Sequence, residues 1–169
     1  MKIKLFYKQI LLITVCLFSI TLSSIVLAAP SLQTVKDMRQ LKQYSAARDV
    51  PVLLLFTAED CVYCEAIRQN YLIPMSQSGK YQNRILIRQL YIDEYSLVRD
   101  ESGELVGGDR ISRHYAVDIT PTILFINAQG QEVAERIVGL SGADYFDKTL
   151  DTAIQLASKN KPLSSSTVE

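Results

Sequence analysis

The sequence predicts an α/β domain with a mixed central sheet and helices on both faces. Three observations carry that prediction. The run Val52-Leu53-Leu54-Leu55-Phe56 is continuously apolar, the type of strand that is covered on both faces. Strand-like runs alternate with segments of helical period, giving the order α-β-α-β-α-β-β-α. Asn127-Ala128-Gln129-Gly130 separates two further strand-like runs and reads as a hairpin turn. A strand–helix–strand crossover requires parallel pairing, and the final hairpin adds an antiparallel edge.

The chain has 169 residues, enough for one domain with some length to spare. Residues 1–28 are expected to stand outside it. Lys2, Lys4 and Lys8 form a basic start, and an apolar stretch follows to Leu27. Val26-Leu27-Ala28 then offers small residues where a signal peptidase cuts. The expectation is a cleaved signal peptide and a periplasmic or otherwise exported protein, with an uncleaved membrane anchor as the alternative. Removing those three lysines from 18 basic residues leaves 15 against 18 acids, a formal net charge of −3. No block of Lys or Arg suggests nucleic acid as a partner. The domain is expected to cover residues 29–157, followed by a flexible tail at 158–169 that is poor in apolar residues.

Taken in order, residues 31–48 read as a helix. Leu32, Val35, Met38 and Leu41 recur every three residues, and Ser31 is a plausible cap. Residues 52–56 are the buried strand, and 57–60 the loop at its end. A second helix begins near Cys61 and is ended or kinked by Pro74. Residues 84–92 alternate partly and predict another strand. Residues 93–109 are polar and Gly-rich, and read as a long loop with a short helical turn near 96–99. Residues 110–116 predict a short helix. Thr122–Ile126 and Glu132–Val138 are the hairpin strands, and 139–142 a turn. Residues 143–157 form the last helix, with Tyr145, Phe146, Leu150, Ile154 and Leu156 available to face the sheet.

The chemistry concentrates in Asp60-Cys61-Val62-Tyr63-Cys64-Glu65. Of three cysteines, Cys16 would leave with the signal peptide, and the other two are separated by two residues. Cys61 falls at or just before a helix N-terminus, where free N–H groups and the dipole favour a thiolate. Cys64 lies one turn in, within disulfide reach. A purely structural disulfide is the alternative, but so short a loop contributes only about 2 kcal/mol, against about 3 kcal/mol for fifteen residues. The spacing therefore points to a disulfide that opens and closes. Glu59 and Asp60 precede Cys61, and their charge opposes ionisation of the thiol by about one pKa unit. Asp60 as a simple helix cap is an equal alternative. His114, the single histidine, reads as a surface residue rather than a base.

With these segments in place, the chain resembles a thioredoxin-fold protein over most of residues 32–156. Three stretches carry the resemblance: residues 52–64 with the dithiol, Tyr115-Ala116-Val117-Asp118-Ile119-Thr120-Pro121-Thr122, and residues 130–141 with the hairpin and its exit turn. The chain is most similar to exported thioredoxin-like proteins of the SoxW type, and to the catalytic domain of the DsbC isomerases. It departs from cytoplasmic thioredoxins at Leu55, where they carry a buried acid, and at Asp60, where they carry tryptophan. It lacks the helical insertion of DsbA-type oxidases and the dimerisation domain of DsbC.

The resemblance implies a catalytic pair, Cys61 as nucleophile and Cys64 as resolving thiol, with the Cys61–Cys64 disulfide as the redox-active group and no other cofactor or metal. It implies a cis bond before Pro121 and a Thr120 backbone able to pair with an extended substrate. Tyr63 is a further candidate for substrate contact. The expected partners are proteins with disulfides or thiols, and a membrane thiol electron donor; the expected state is a monomer. A dithiol oxidase of the same fold is the first alternative function. A Cu(I) metallochaperone using Cys61 and Cys64 is the second. Residues 93–109 are expected to emerge on the dithiol side and to influence partner choice.

Overall fold

The computed structural model describes Ile3, Lys8, residues 30–140 and residues 145–159. Apart from Ile3 and Lys8, the expected signal peptide lies outside the described residues, as do 141–144 and the tail from 160. The chain divides into two compact units, Met1–Pro30 and Ser31–Glu169, and the second is described below.

A four-stranded sheet organises this unit, in the order β2-β1-β5-β6. Strand β1 (Val52–Thr57) pairs in parallel with β2 (Leu86–Tyr91). On its other side β1 pairs antiparallel with β5 (Thr122–Ile126), which pairs antiparallel with β6 (Glu132–Val138). The mixed sheet expected from the sequence is therefore present, with the hairpin strands where the pattern put them. All six residues of β1 are buried, because it is flanked by strands and covered on both faces. Along it, side chains alternate between two cores. Val52, Leu54 and Phe56 pack with helix α1 (Met38–Arg48), while Leu53 and Leu55 pack with helix α5 (Phe146–Lys159) and the dithiol helix. Each fully buried Leu or Phe stabilises the fold by about 1.5–3 kcal/mol.

Several elements differ from the sequence expectation. Residues 31–37 are extended, and α1 begins only at Met38, capped by Asp37, whose carboxylate accepts from the Arg39 and Gln40 N–H groups. The Val35 N–H donates to the Gln89 carbonyl at 2.8 Å, and the Gln89 N–H donates back to Gln33 at 3.2 Å. The segment thus extends the sheet along β2. Three-residue spacing puts Leu32 and Val35 on one side of a helix but on opposite faces of an extended chain. Accordingly Leu32 joins the α5 core and Val35 the α1 core.

The stretch 93–109 is not a plain loop. It contains an antiparallel hairpin, β3 (Leu97–Arg99) and β4 (Leu105–Gly107), followed directly by α4 (Gly108–His114). Val98 and Val106 are buried in the α1 core. The segment follows the end of β2, as expected, but it is built into the fold, so its deletion would remove core rather than report on partner choice alone.

The dithiol helix, α2 (Val62–Ile67), passes through a wide π turn at Arg68–Leu72 and continues as α3 (Ile73–Gln77). Pro74 therefore does not end it. The widened turn re-spaces the carbonyls that the proline ring would otherwise meet, and Pro74 sits in the first turn of α3, where an absent N–H matters least. In α5 the buried residues are Phe146, Leu150, Ala153, Ile154 and Ala157, whereas Tyr145 and Leu156 are exposed, correcting two expected core positions. The expected start at 143 lies outside the described residues. Ser158 and Lys159, assigned from sequence to the tail, are helical, and the Ser158 hydroxyl donates to the Arg84 carbonyl.

Tyr115, just after α4, is buried with its hydroxyl lacking a hydrogen-bond partner among the described residues. Burial, with the Glu101 and Glu132 carboxylates, pushes its pKa up to about 12. An unsatisfied buried hydroxyl destabilises, so Tyr115→Phe is expected to raise stability by about 1 kcal/mol in urea unfolding at pH 7. Because the folded-state pKa is raised, the unfolded chain ionises first. Stability should hold below pH about 10 and fall as pH rises toward 12. Tyr115→Phe should remove that part of the alkaline slope.

Candidate functional site

Cys61 is the N-cap of α2, with extended backbone, and its Sγ accepts from the Cys64 N–H at 3.2 Å. It is partly exposed, and Cys64 is fully buried. The two are joined by a disulfide with Cα atoms 5.2 Å apart. The cap belongs to Cys61, so the alternative in which Asp60 caps the helix is not what forms. Asp60 instead takes a left-handed backbone (φ 55°), which turns the chain from the β1 loop into α2. An N-cap sulfur faces the unpaired N–H groups of the first turn, which favour negative charge on it.

The Thr120–Pro121 peptide bond is cis, and Pro121 is buried at the start of β5. The Thr120 hydroxyl donates to the Cys61 Sγ at 3.8 Å, so the Pro121 loop lies directly against the dithiol. This loop is held from behind: the Gly139 N–H donates to the Pro121 carbonyl at 2.8 Å, and the Thr122 hydroxyl to Ile119 at 2.7 Å. Among the described residues no backbone group pairs with the Thr120 N–H or carbonyl. Cys61, Cys64, Thr120 and Pro121 are thus brought together from two segments 57 residues apart. Tyr63, between the two cysteines in the first turn of α2, is 65% exposed, beside Val62 at 78%; Ile119, 62% exposed, lies next to Thr120. His114 is exposed on the last turn of α4, its ring edge-on to Tyr115.

A cavity of about 550 Å³ opens beside Cys61, lined by Ala58, Glu59, Asp60, Glu65, Arg68 and Tyr91 among others. Arg68 is a charged residue of this group to which sequence reasoning gave no role. Its guanidinium donates from Nε to Gln89 Oε1 at 2.8 Å and from one terminal nitrogen to Thr57 Oγ1 at 3.1 Å, and it pairs with the Glu65 carboxylate. The spacing Glu65-x-x-Arg68, one turn beyond Cys64, was the available signal. Among the described residues no group of three or more His, Cys, Asp or Glu side chains is placed to hold a metal ion.

The parallel β1–β2 unit, the antiparallel β5–β6 hairpin and the dithiol at a helix start define a thioredoxin-type architecture. A thioredoxin-like domain family matches residues 38–154, and the chain belongs to that family. No curated protein sequence matches it. Among solved structures, it is similar to the thioredoxin of Malassezia sympodialis at 20% identity and a TM-score of 0.53, covering 76% of this chain and 94% of that one. It is similar to oxidised mitochondrial thioredoxin 3 of Saccharomyces cerevisiae at 17% identity and 0.51, covering 73% and 93%. Spinach chloroplast thioredoxin f gives 16% identity and 0.51, covering 78% and 98%. At these identities the likeness is one of fold. Family membership together with the Cys61–Cys64 pair supports a thiol–disulfide oxidoreductase.

Proposed function

We propose that this protein is an exported thiol–disulfide oxidoreductase acting on protein disulfides, in the reducing or isomerising direction. The carrying observation is the asymmetry of the pair: a partly exposed Cys61 at a helix N-terminus, bonded to a fully buried Cys64, beside the Thr120–Pro121 loop. Export rests on the basic and apolar N-terminal sequence.

In the reduced protein the Cys61 thiolate attacks one sulfur of a substrate disulfide. A bond forms between Cys61 and that sulfur, and the second substrate sulfur leaves as a thiolate. Cys64, deprotonated, then attacks Cys61 Sγ and expels the first substrate sulfur. Two electrons pass from the dithiol to the substrate, and the Cys61–Cys64 disulfide remains. A thiol donor must reduce it again; a membrane donor fits an exported location. The Thr120 backbone groups hold an extended substrate chain as an added strand, and Tyr63 supplies a further contact. The protein works as a monomer.

A Cys64→Ser variant tests this in cells. It should accumulate client proteins linked through Cys61, separable by reductant, and a Cys61→Ser, Cys64→Ser double variant should accumulate none. If the single variant captured nothing beyond the double variant, the proposal would fail. A reduction potential near −270 mV fits the reducing direction, while one near −120 mV would assign the protein as an oxidase.

A further inference from the structure

We propose that Arg68 is a positioning residue whose fixed positive charge holds the Cys61 sulfur in its thiolate form, with Glu65 as the counter-charge that moderates it. The inference rests on the oxidoreductase reading and deepens it by naming what sets the reactivity of the dithiol.

Four features of the site carry it. Arg68 lines the same cavity as Cys61. Its side chain is only 14% exposed, so its charge is less screened than that of a surface arginine. It is anchored to two strands at once: Thr57 ends β1, and Gln89 lies within β2. Gln89 is itself buried and fixed, its amide donating to the Leu32 carbonyl at 3.2 Å and to Thr34 Oγ1 at 3.1 Å. The guanidinium therefore cannot swing into solvent when the disulfide opens. Tyr91, whose ring centre lies 6.0 Å from the guanidinium carbon, closes the β2 side.

The charges around Cys61 decide the sign. Glu59 and Asp60 from the loop and Glu65 from α2 line the cavity with negative charge. Arg68 is the single cation among the residues that line it. Left alone, those carboxylates would hold a proton on Cys61 and slow its attack. Arg68 and the N-terminal N–H groups of α2 oppose them. The extended segment 31–37 acquires a role here, since it steadies Gln89 and so fixes the arginine.

The test compares reduced wild-type protein with Arg68→Met, Arg68→Lys and Glu65→Gln. The Cys61 thiol is titrated by the pH dependence of its alkylation, which needs no substrate, so its outcome stands apart from any failure of the oxidoreductase reading. A neighbouring unit charge at a partly buried site is worth about a fivefold change in thiolate fraction. Arg68→Met should lower that fraction by about fivefold near neutral pH, Glu65→Gln should raise it, and Arg68→Lys should retain most of the wild-type value. Measured above the Cys61 pKa, where that sulfur is fully ionised in both proteins, the reduction potential should become more negative in Arg68→Met by about 20 mV, a fivefold change in acid dissociation constant expressed as a two-electron potential. Unchanged Cys61 titration in Arg68→Met, with only the unfolding midpoint altered, would overturn the proposal and make Arg68 a brace. If Arg68→Met does not fold, Arg68→Gln takes its place, since it can keep hydrogen bonds to Thr57 and Gln89 without the charge, and an unchanged Cys61 titration in it overturns the proposal.

Discussion

Replacing Cys61 with alanine is expected to abolish reduction of protein disulfides, by at least about a thousandfold in single-turnover rate. The thiolate that begins the exchange is removed, and Cys64 cannot substitute for it, because it is fully buried within α2. Cys64→Ser should behave differently. It retains the attacking sulfur, so one mixed disulfide per molecule should form at near wild-type rate and then persist. The measurement is the release of substrate thiol from a model protein disulfide by pre-reduced protein, with stoichiometry followed by mass. Both variants lose the Cys61–Cys64 bond, whose short loop contributes only about 2 kcal/mol, so neither should unfold. Full turnover by Cys61→Ala would exclude Cys61 as the nucleophile.

Gly108→Ala is expected to destabilise the protein by about 3–5 kcal/mol, more than most single substitutions. Gly108 opens α4, and a Cβ there would lie 1.7 Å from the Tyr91 carbonyl oxygen, a backbone atom that no side-chain rotation can move. The Gly108 N–H also donates to the Asp93 carbonyl at 3.0 Å, so β2 and α4 meet with no space for a side chain. Gly79, in the turn after α3, provides the contrast, since its Cβ would meet nothing within 4 Å. Gly79→Ala should therefore change stability little. Urea unfolding of the two variants checks the pair. Because Tyr91 lines the cavity beside Cys61, Gly108→Ala should also disturb the dithiol titration.

Much of the architecture was legible in the residues. The continuous apolar run 52–56 can only be a strand covered on both faces, and the Asn127–Gly130 turn fixed the final hairpin, with Gly130 at φ +83° as such a turn requires. The dithiol was legible because its spacing has few other uses. Pairing partners were not legible. Leu32 and Val35 satisfy a helical stripe and an extended edge equally well, and only the hydrogen bonds to Gln89 choose between them. The hairpin at Leu97–Gly107 was hidden by the glycines and charges around it, since Val98 and Val106 are single buried residues in strands of only three.

By itself the sequence determined the order of the four main-sheet strands, the buried central strand and the cysteine pair, because each is set by chemistry within a few neighbouring residues. The tertiary structure alone decided that Cys61, rather than Asp60, caps the helix, that Thr120 meets the Cys61 sulfur, and that Arg68 is held at the dithiol by two strands. The last two depend on where residues 11 to 59 positions apart come to rest, and that is fixed only when the sheet closes and the side chains compete for the same space.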